Sequence, residues 1–545
     1  MPSIRSIRRH ENDTEVTDYD EAQLLALGHE PVLERNFSFL SMLGMGFAIL
    51  NSWTALSASM SLALPSGGPS SVIWGLVTAG ICNVCLAMSL SEFLSAFPTA
   101  GGQYHWVAFV SPAKYRRVFS WITGWINVGG WLALSAAGGV LGSQLVVGLA
   151  SLMHPNYDPQ RWHQFLIYIA YAVICFTINA FGTPLLPLAN QGAFIWSIAG
   201  FVIISIVALA TASPNFADGD WVFGNFINNT GWPNGIAWLL GLLQGSFGLT
   251  AYDAVAHMIE EIPNASIQGP MVMNSSVWTG IITGFIFLVV MLFASGGQPN
   301  VDDVINSAQT PLIHIFQIAT KSNAACICLT LFPLICLIFA MLGAFTTSSR
   351  MTFAFAREKG LPFSPFFSHV HSKLKLPLNA LVLTMVVVII FGLIFLASDS
   401  AFDAITSAAV IALNLSYGIP IAINCAQGRK KLPPRAYRLN PMLGWTVNIV
   451  GLTYVAITTV LFFFPPVVPA TGSSMNYAIV AFTIWLIICV AYWFIGGHKY
   501  DGPSLVGFIQ NMGLSPEDMA IENADHTVYT VDGNKGEGEK KKETA

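Results

Sequence analysis

The sequence predicts an all-α membrane protein with twelve transmembrane helices. Of its 545 residues, 54% are apolar and only 10% are charged, whereas about 25% of the residues of a soluble domain are charged. Several stretches contain no charged residue, and a helix needs only about 20 apolar residues to cross a bilayer. These stretches cover residues 36–91, 118–157, 162–217, 221–252, 262–301 and 439–498, and several of them are long enough for two spans.

Turn-forming residues divide the longest stretches. Proline and glycine occur together at 65–69, 182–190 and 465–472, and both residues interrupt helices. Dividing the chain there gives twelve spans, whose ends are uncertain by a few residues. In chain order we predict spans 1 to 12 at 38–64, 71–94, 118–148, 164–182, 190–211, 235–258, 272–294, 324–348, 377–397, 402–425, 443–464 and 477–496.

The distribution of Lys and Arg sets the orientation of the spans, because positively charged loops stay in the cytoplasm. With a cytoplasmic N-terminus, every Lys and Arg except Arg161 and Lys321 falls in a cytoplasmic segment. The chain is then an integral membrane protein, expected in the plasma membrane, with both termini in the cytoplasm. Its predicted parts are a cytosolic N-terminal tail (1–36), a transmembrane core (37–497) and a cytosolic C-terminal tail (498–545).

Spans 1 and 6 differ from the others because they combine glycines with amide, hydroxyl and aromatic side chains. Backbone groups that are free of helical hydrogen bonds are tolerated at mid-membrane only where they line a cavity. Since these two spans lie five apart, they favour an inverted repeat of spans 1–5 and 6–10, at about 37–212 and 234–426, followed by two extra helices at about 440–497. The alternative is that the glycines, above all Gly44 and Gly46, only allow close helix packing.

Ionisable residues inside membrane spans are costly and usually functional. Asp253, His257 and Glu261 follow one another at intervals of four residues, which places them on one face of span 6. Because this end of span 6 faces the cytoplasm in the predicted topology, a role in an inner gate and a role in proton transfer remain equally open.

Other ionisable residues lie near the predicted ends of spans. Glu92, at the inner end of span 2, is open to a gate contact or to simple hydration of a helix end. We expect Glu260 and Glu261 at the membrane interface, and we expect Asp403, near the outer start of span 10, to be hydrated.

The sequence offers little support for chemistry other than transport. Cys82 and Cys85 have a CxxC spacing, but no further ligand lies near them, so we expect no metal site. A membrane-embedded enzyme would need a nucleophile with a base, or a metal cluster, and the mid-membrane segments contain neither. We expect no cofactor and no nucleic-acid partner, and there is no phosphate-binding loop for ATP. Asn228 begins the one N-glycosylation sequon in a predicted external loop.

Three segments resemble the fungal amino acid/choline transporter family, which includes choline and GABA permeases and is part of the amino acid-polyamine-organocation superfamily. They are SEFLSAFPTAGGQYHW at 91–106, AYDAVAHMIEEIPNA at 251–265 and SRMTFAFAREKGLPFS at 349–364. The resemblance covers roughly residues 37–497. It implies a LeuT-like five-plus-five inverted repeat with two extra helices. It also implies a secondary active transporter that moves a small amine or amino acid by alternating access.

The resemblance implies that backbone groups in the unwound parts of spans 1 and 6 hold the polar head of the solute. Carried over to this sequence, these binding residues are Ile49, Asn51, Ser52, Trp53, Phe247, Gly248 and Thr250. A quaternary ammonium group such as that of choline would also need aromatic faces. The candidates for this role are Trp53, Phe247, Tyr252 and Tyr417.

The coupling ion and the cargo remain open. Proton-coupled bacterial relatives carry a lysine near the middle of span 5, but residues 191–200 contain no amine. The coupling ion could therefore be a proton, with Asp253 or His257 as the titrating group, or a sodium ion. The cargo could be choline, GABA or a related compound. The alternatives are a same-fold carrier of a specialised metabolite or vitamin precursor and, with less support, a transporter-like nutrient sensor.

Overall fold

The computed structural model describes residues 39–154, 156–182, 185–307, 310–397, 401–472, 474–500 and 502–503. Within these ranges the regular elements are helices, and one isolated β-bridge joins Ser66 to Asn228. The predicted N-terminal tail, and the C-terminal tail beyond residue 503, lie outside the described residues.

A helical segment corresponds to each of the twelve predicted spans. In chain order they are Phe39–Leu50 with Ser52–Ala58, Gly68–Ala96, Arg116–Met153, Arg161–Phe181, Leu186–Ala212, Asn234–Gly248 with Ala254–His257, Ala265–Ala294, Asn323–Arg357, Leu378–Ala397, Ala401–Ala426, Pro441–Leu461 and Ala478–Gly496. Nine helices in the described part of the chain are long and apolar enough to cross a membrane. The other three spans are the interrupted spans 1 and 6 and the shorter apolar helix of span 9.

Shorter helices connect the spans. They are Gln103–Val110, Gly219–Gly224, Gln298–Asn306, Pro311–Thr320 and Ser364–Phe367, together with single 3-10 turns at Met60–Leu62, Ile259–Glu261 and Gly497–Lys499. The first of them, Gln103–Val110, packs against spans 3 and 10 and brings a polar segment into the helix bundle.

Span 1 lies at the centre of the bundle, where it packs against spans 5, 7 and 8. Close approach is possible because glycines face its neighbours. A Cβ atom on Gly44 would lie 2.5 Å from the Asn190 carbonyl oxygen of span 5, and one on Gly46 would lie 2.7 Å from Ser276 Oγ of span 7. For these two glycines the packing interpretation is therefore the better one.

Spans 11 and 12 lie at the periphery. Span 11 packs against spans 2 and 10, and span 12 against spans 3 and 10. Only 11% of the apolar window of span 12 is buried inside the protein, so most of its apolar surface is left to face lipid.

Span 8 differs from its predicted extent, because its helix continues past residue 348 to Arg357. Arg350 therefore lies on a helix, where it is only 5% exposed, and not in a loop. The longer helix reaches the residues that follow span 6, and this has a direct effect on the candidate site.

Candidate functional site

Span 1 is interrupted at Asn51, which adopts a left-handed backbone conformation with φ 47° and ψ 36°. Asparagine tolerates this conformation better than most residues. The Asn51 amide donates to the Phe47 carbonyl at 2.8 Å, and the Ala55 amide donates to the Asn51 carbonyl at 2.7 Å. Among the described residues, no backbone carbonyl accepts from the intervening amides of residues 52–54. The break thus leaves three N–H groups without backbone partners in the middle of the span.

Span 6 is interrupted between Gly248 and Ala254. Within the gap Ala251 has a φ of 80°, a conformation that costs an L-residue about 1–3 kcal/mol and persists only with support from its surroundings. That support comes from span 10, because the Ala251 amide donates to Tyr417 Oη at 3.2 Å. Span 10 therefore holds the unwound part of span 6 in place.

A cavity lies between the two breaks, and the empty space inside it, including space open to solvent, is about 420 Å³. Spans 1, 3, 6 and 8 form its walls, which are apolar apart from the side chains of Asn51 and Thr250. Two further predicted binding residues, Ile49 and Phe247, also line it. Because no charged side chain is in the described lining, polar recognition of a solute falls to these two side chains and to the bare backbone groups.

The other predicted binding residues lie away from the cavity lining. The Trp53 indole donates to Ser197 Oγ of span 5 at 2.8 Å. Ser52 faces span 7, since a Cβ on Gly280 would lie 2.2 Å from Ser52 Oγ. Gly248 allows span 6 to approach span 1, because a Cβ there would lie 2.5 Å from Leu56 Cγ.

Of the four aromatic residues considered for a cation, only Phe247 lines the central cavity. Tyr252 and Tyr417 pack against each other with ring centroids 5.0 Å apart. Tyr417 uses its hydroxyl to bind the backbone and side chain of the unwound segment. An aromatic cage for a quaternary ammonium group is therefore not formed around the central cavity in the described structure.

Asp253 is the centre of a buried polar network beside the break in span 6. Tyr417 Oη donates to its Oδ1 at 2.6 Å. Gln103 Nε2 and Trp131 Nε1 donate to its Oδ2 at 2.8 Å and 3.2 Å. Asn127 in turn donates to Gln103 Oε1 at 2.7 Å. Spans 3, 6 and 10 and the Gln103–Val110 helix are thus joined through one carboxylate.

His257 contacts the same carboxylate. Its Nδ1 lies 2.9 Å from the Ala100 carbonyl oxygen, which can only accept, so Nδ1 carries a hydrogen. Its Nε2 lies 3.2 Å from Asp253 Oδ2, and a hydrogen bond there needs one further proton, on either the imidazole or the carboxyl group. The same carboxylate accepts from three other donors, Tyr417, Gln103 and Trp131.

Below this network, two ion pairs join the end of span 6 to span 8. Arg350 Nε lies 3.2 Å from Glu261 Oε1, and Arg357 lies 3.4 Å from Glu260 Oε1. The Ala100 amide also donates to Glu260 at 3.2 Å. Both glutamates are buried, because the longer span 8 brings two arginines beside them, and their expected place at the membrane interface stays a prediction.

Glu92 is buried and paired with two arginines. Arg429 donates to its Oε2 at 2.5 Å, Arg435 donates to its Oε1, and the Leu439 amide donates to Oε1 at 3.1 Å. The carboxylate therefore anchors the segment between spans 10 and 11 to the inner end of span 2.

Asn228 closes the loop before span 6. Its Nδ2 donates to the Trp232 carbonyl at 2.7 Å and to Asn234 Oδ1 at 2.9 Å, and its Oδ1 accepts from Thr230 Oγ1 at 2.7 Å. Its amide nitrogen is thus engaged in the folded loop, and glycosylation of Asn228 stays a prediction.

Sequence reasoning missed Gln103, Trp131 and Asn127 as parts of the site. Gln103 lies inside the family-like segment at 91–106, so its polar side chain could have been considered as part of the site. Trp131 is 122 residues from Asp253 along the chain, and no local pattern indicates their contact. The described residues contain no group of three metal-ligating side chains.

Comparisons with known proteins agree over nearly the whole membrane region. A family model described as amino acid permease matches residues 37–488. A Macrophomina phaseolina protein named for amino acid/polyamine transport is 35% identical over 80% of this chain and 96% of its own length. The choline transporter of Saccharomyces cerevisiae is 31% identical over 91% of this chain and 87% of its own. The amino-acid permease BAT1 of Arabidopsis thaliana is 29% identical over 90% and 97%.

Proposed function

Since the chain belongs to the amino acid permease family, it is an integral membrane transporter and not an enzyme, and we propose that the central cavity between spans 1 and 6 is its solute site. The cargo is a small amine or amino acid, as the names of the relatives suggest. The observation that carries the proposal is the coincidence of two helix breaks, bare backbone groups and one cavity. A carrier of a specialised metabolite is not favoured by these relatives, and neither is a nutrient sensor.

The backbone of span 1 supports recognition of a zwitterion. Bare amides at residues 52–54 are donors for a carboxylate, and the carbonyls of residues 48–50, which lack their usual i+4 donors in the described structure, accept from an ammonium group. A choline-like cation would use only the carbonyls and the face of Phe247. The apolar walls suit the short carbon chain of either solute.

The proton shared by Asp253 and His257 supports proton coupling. The pair lies between the central cavity and the ion pairs at the end of span 6, and its carboxylate also contacts spans 3 and 10. Loss of the shared proton would remove a hydrogen bond and leave an uncompensated negative charge in a buried network. A change in protonation would thereby alter the contacts that hold the unwound segment. Coupling to a sodium ion is the alternative.

The predicted topology completes the proposal. With the N-terminus in the cytoplasm, the ion pairs of Glu260 and Glu261 form an inner gate, and the ends of spans 1 and 6 near Pro65 and Asn234 face the outside. The chain then works in the plasma membrane with both termini in the cytoplasm, in agreement with the distribution of Lys and Arg.

Uptake by a transporter-deficient host tests the proposed function. Labelled choline, GABA, a polyamine and a set of amino acids are offered to cells that express the protein, with and without a protonophore. We expect saturable uptake of at least one of these solutes, and we expect the protonophore to reduce it. No uptake and no exchange of any of them by protein at the cell surface would contradict the proposal.

A further inference from the structure

A second cavity, which we call the outer cavity, lies where span 1 ends and span 6 begins. This place is remote from the ion pairs of Glu260 and Glu261. The empty space inside the cavity, including space open to solvent, is about 690 Å³. Its walls come from the segment after span 1, the first half of span 6, the start of span 10 and the segment between spans 11 and 12. None of the predicted binding residues lines it.

The two cavities follow one another along the same helices. On span 6, Leu240 and Leu243 line the outer cavity and Phe247 lines the central one, and their spacing of three and four residues places all three on one helix face. On span 1, Ala55 lines the central cavity and Ser61 the outer one. The outer cavity therefore lies on the direct approach to the central cavity.

Asp403 is the only ionisable residue in the described lining of the outer cavity. Its carboxylate makes no hydrogen bond or ion pair with a described residue, whereas Ser66 and Thr230 in the same lining are hydrogen-bonded. Asn476 also donates to the Phe462 and Phe464 carbonyls at 2.8 Å and 3.2 Å. An unpaired charge in a partly buried position is unfavourable unless a solvent molecule or ligand compensates it.

Phe462 and Phe464 belong to the lining as well, and aromatic faces attract ammonium groups. We propose that the outer cavity is an access site that binds the ammonium group of the solute, with Asp403 as the counter-charge and these two phenylalanines as its aromatic walls. This inference rests on the proposed function and adds a second, charge-selective site to it. The carboxylate also lies in the first turn of span 10, where it favours the helix N-terminus, and that effect does not depend on the solute.

Uptake kinetics of charge variants test this site. KM and maximal rate are measured for choline, which carries a net positive charge, and for GABA, which is a zwitterion. The variants are Asp403→Asn, Asp403→Glu and Ser61→Lys, which places a fixed cation in the same cavity from a position that is exposed. Asp302→Asn is the matched control, because Asp302 is an exposed carboxylate on the Gln298–Asn306 helix, outside the cavity lining.

We expect Asp403→Asn and Ser61→Lys to raise the KM for choline about five- to tenfold, as for the loss of one partly desolvated charge contact. The rise for GABA should be smaller, and the maximal rate should change little. Asp403→Glu keeps the charge and should raise the KM for choline less than Asp403→Asn does, and Asp302→Asn should behave as the wild type. If Asp403→Asn does not reach the cell surface, Ser61→Lys and Asp403→Glu decide the question.

The possible failures are distinct. Unchanged KM values in both Asp403→Asn and Ser61→Lys, with a wild type that carries amines, would overturn the access site and leave the proposed function intact. A wild type that carries no solute with an ammonium group would overturn the proposed function and the access site together.

Discussion

Asp253 and His257 show how much of the site depends on single side chains. One carboxylate accepts from Tyr417, Gln103 and Trp131, which lie on three separate elements. Because His257 donates its Nδ1 hydrogen to a carbonyl, its contact with Asp253 requires a second proton. The pair is electrically neutral with that proton and negative without it, so proton loss changes the charge in the middle of the bundle.

We expect His257→Gln to lose proton-driven accumulation and to retain solute exchange. A glutamine amide can replace one hydrogen bond to Asp253 but cannot release a proton. In proteoliposomes, accumulation driven by an imposed pH gradient should fall at least about fivefold, the lower end of common coupling factors, while counterflow without a gradient should change little. His314→Gln, on the Pro311–Thr320 helix, is the control. Normal pH-driven accumulation by His257→Gln would exclude the pair as the coupling site.

The position of Asn51 allows its side chain and its backbone to be tested separately. We expect Asn51→Gly to fold and to transport with a raised KM, since glycine adopts a left-handed conformation without strain but lacks the amide that faces the cavity. Asn51→Leu should abolish uptake, because it adds about 1–2 kcal/mol of backbone strain and fills the cavity. Surface expression and uptake are measured for both variants. Normal uptake by Asn51→Leu would show that the solute site is elsewhere.

At the scale of helices, the contact between Gly248 and Leu56 sets the distance between the two broken spans. We expect Gly248→Ala to reduce transport strongly, because the new methyl group and Leu56 cannot occupy the same space. The double variant Gly248→Ala with Leu56→Ala should recover much of the activity, since it removes the clash. Initial uptake rates normalised to surface protein measure both effects.

Gly192 on span 5 provides the control for this pair, because a Cβ atom there would meet nothing within 4 Å. Gly192→Ala should transport like the wild type. Failure of Leu56→Ala to rescue Gly248→Ala, with both proteins at the surface, would indicate that Gly248 acts by direct contact with the solute.

The helices themselves were largely predictable from the sequence. Charge-free stretches and turn residues are local signals, and the twelve-span, all-α membrane fold they predict is confirmed by the family match and the helices of the structure. The break in span 1 falls where the sequence places Asn51 among polar residues. The end of span 8 was missed because Arg350 and Arg357 suggest a cytoplasmic loop, whereas pairing with buried glutamates allows the helix to continue as far as Arg357.

Which side chains face the cavity was less predictable. The rotation of a helix decides whether Trp53 or Asn51 faces the central cavity, and distant partners such as Ser197 help to set that rotation. The assignment of binding residues therefore stays a prediction. Of the predicted residues, Ile49, Asn51, Phe247 and Thr250 line the central cavity. Asp403 shows the same limit, since a carboxylate expected to be hydrated borders a cavity formed by segments far apart in the chain.

At the scale of the whole molecule, two ion pairs join span 6 to span 8, and in the proposed mechanism they hold one end of the transporter closed. Removing one partner of a buried ion pair typically costs about 3–5 kcal/mol of stability. We expect Arg350→Ala to shift the protein towards a state open at that end. Glu261 is then a buried charge without this partner, and contact with water stabilises it. Labelling of a cysteine introduced at Ala344, in the central cavity, by a membrane-impermeant reagent in inside-out vesicles should become faster.

The charge-swapped double variant Glu261→Arg with Arg350→Glu should return the labelling rate towards that of the cysteine variant alone. Lys373→Ala, which removes an exposed cation outside the ion pairs, is the control. An unchanged labelling rate in Arg350→Ala would show that this ion pair is not part of a gate.

The anchoring of Glu92 limits how the halves of the carrier can rock. Two guanidinium groups and one backbone amide on a single carboxylate tie one end of span 2 to the segment that leads into span 11. We expect a tilt of span 2 to move the first turn of span 11 with it through the lipid. Span 11 then moves together with span 2. The resistance that it meets in a thicker or stiffer bilayer becomes one of the quantities that set the turnover rate.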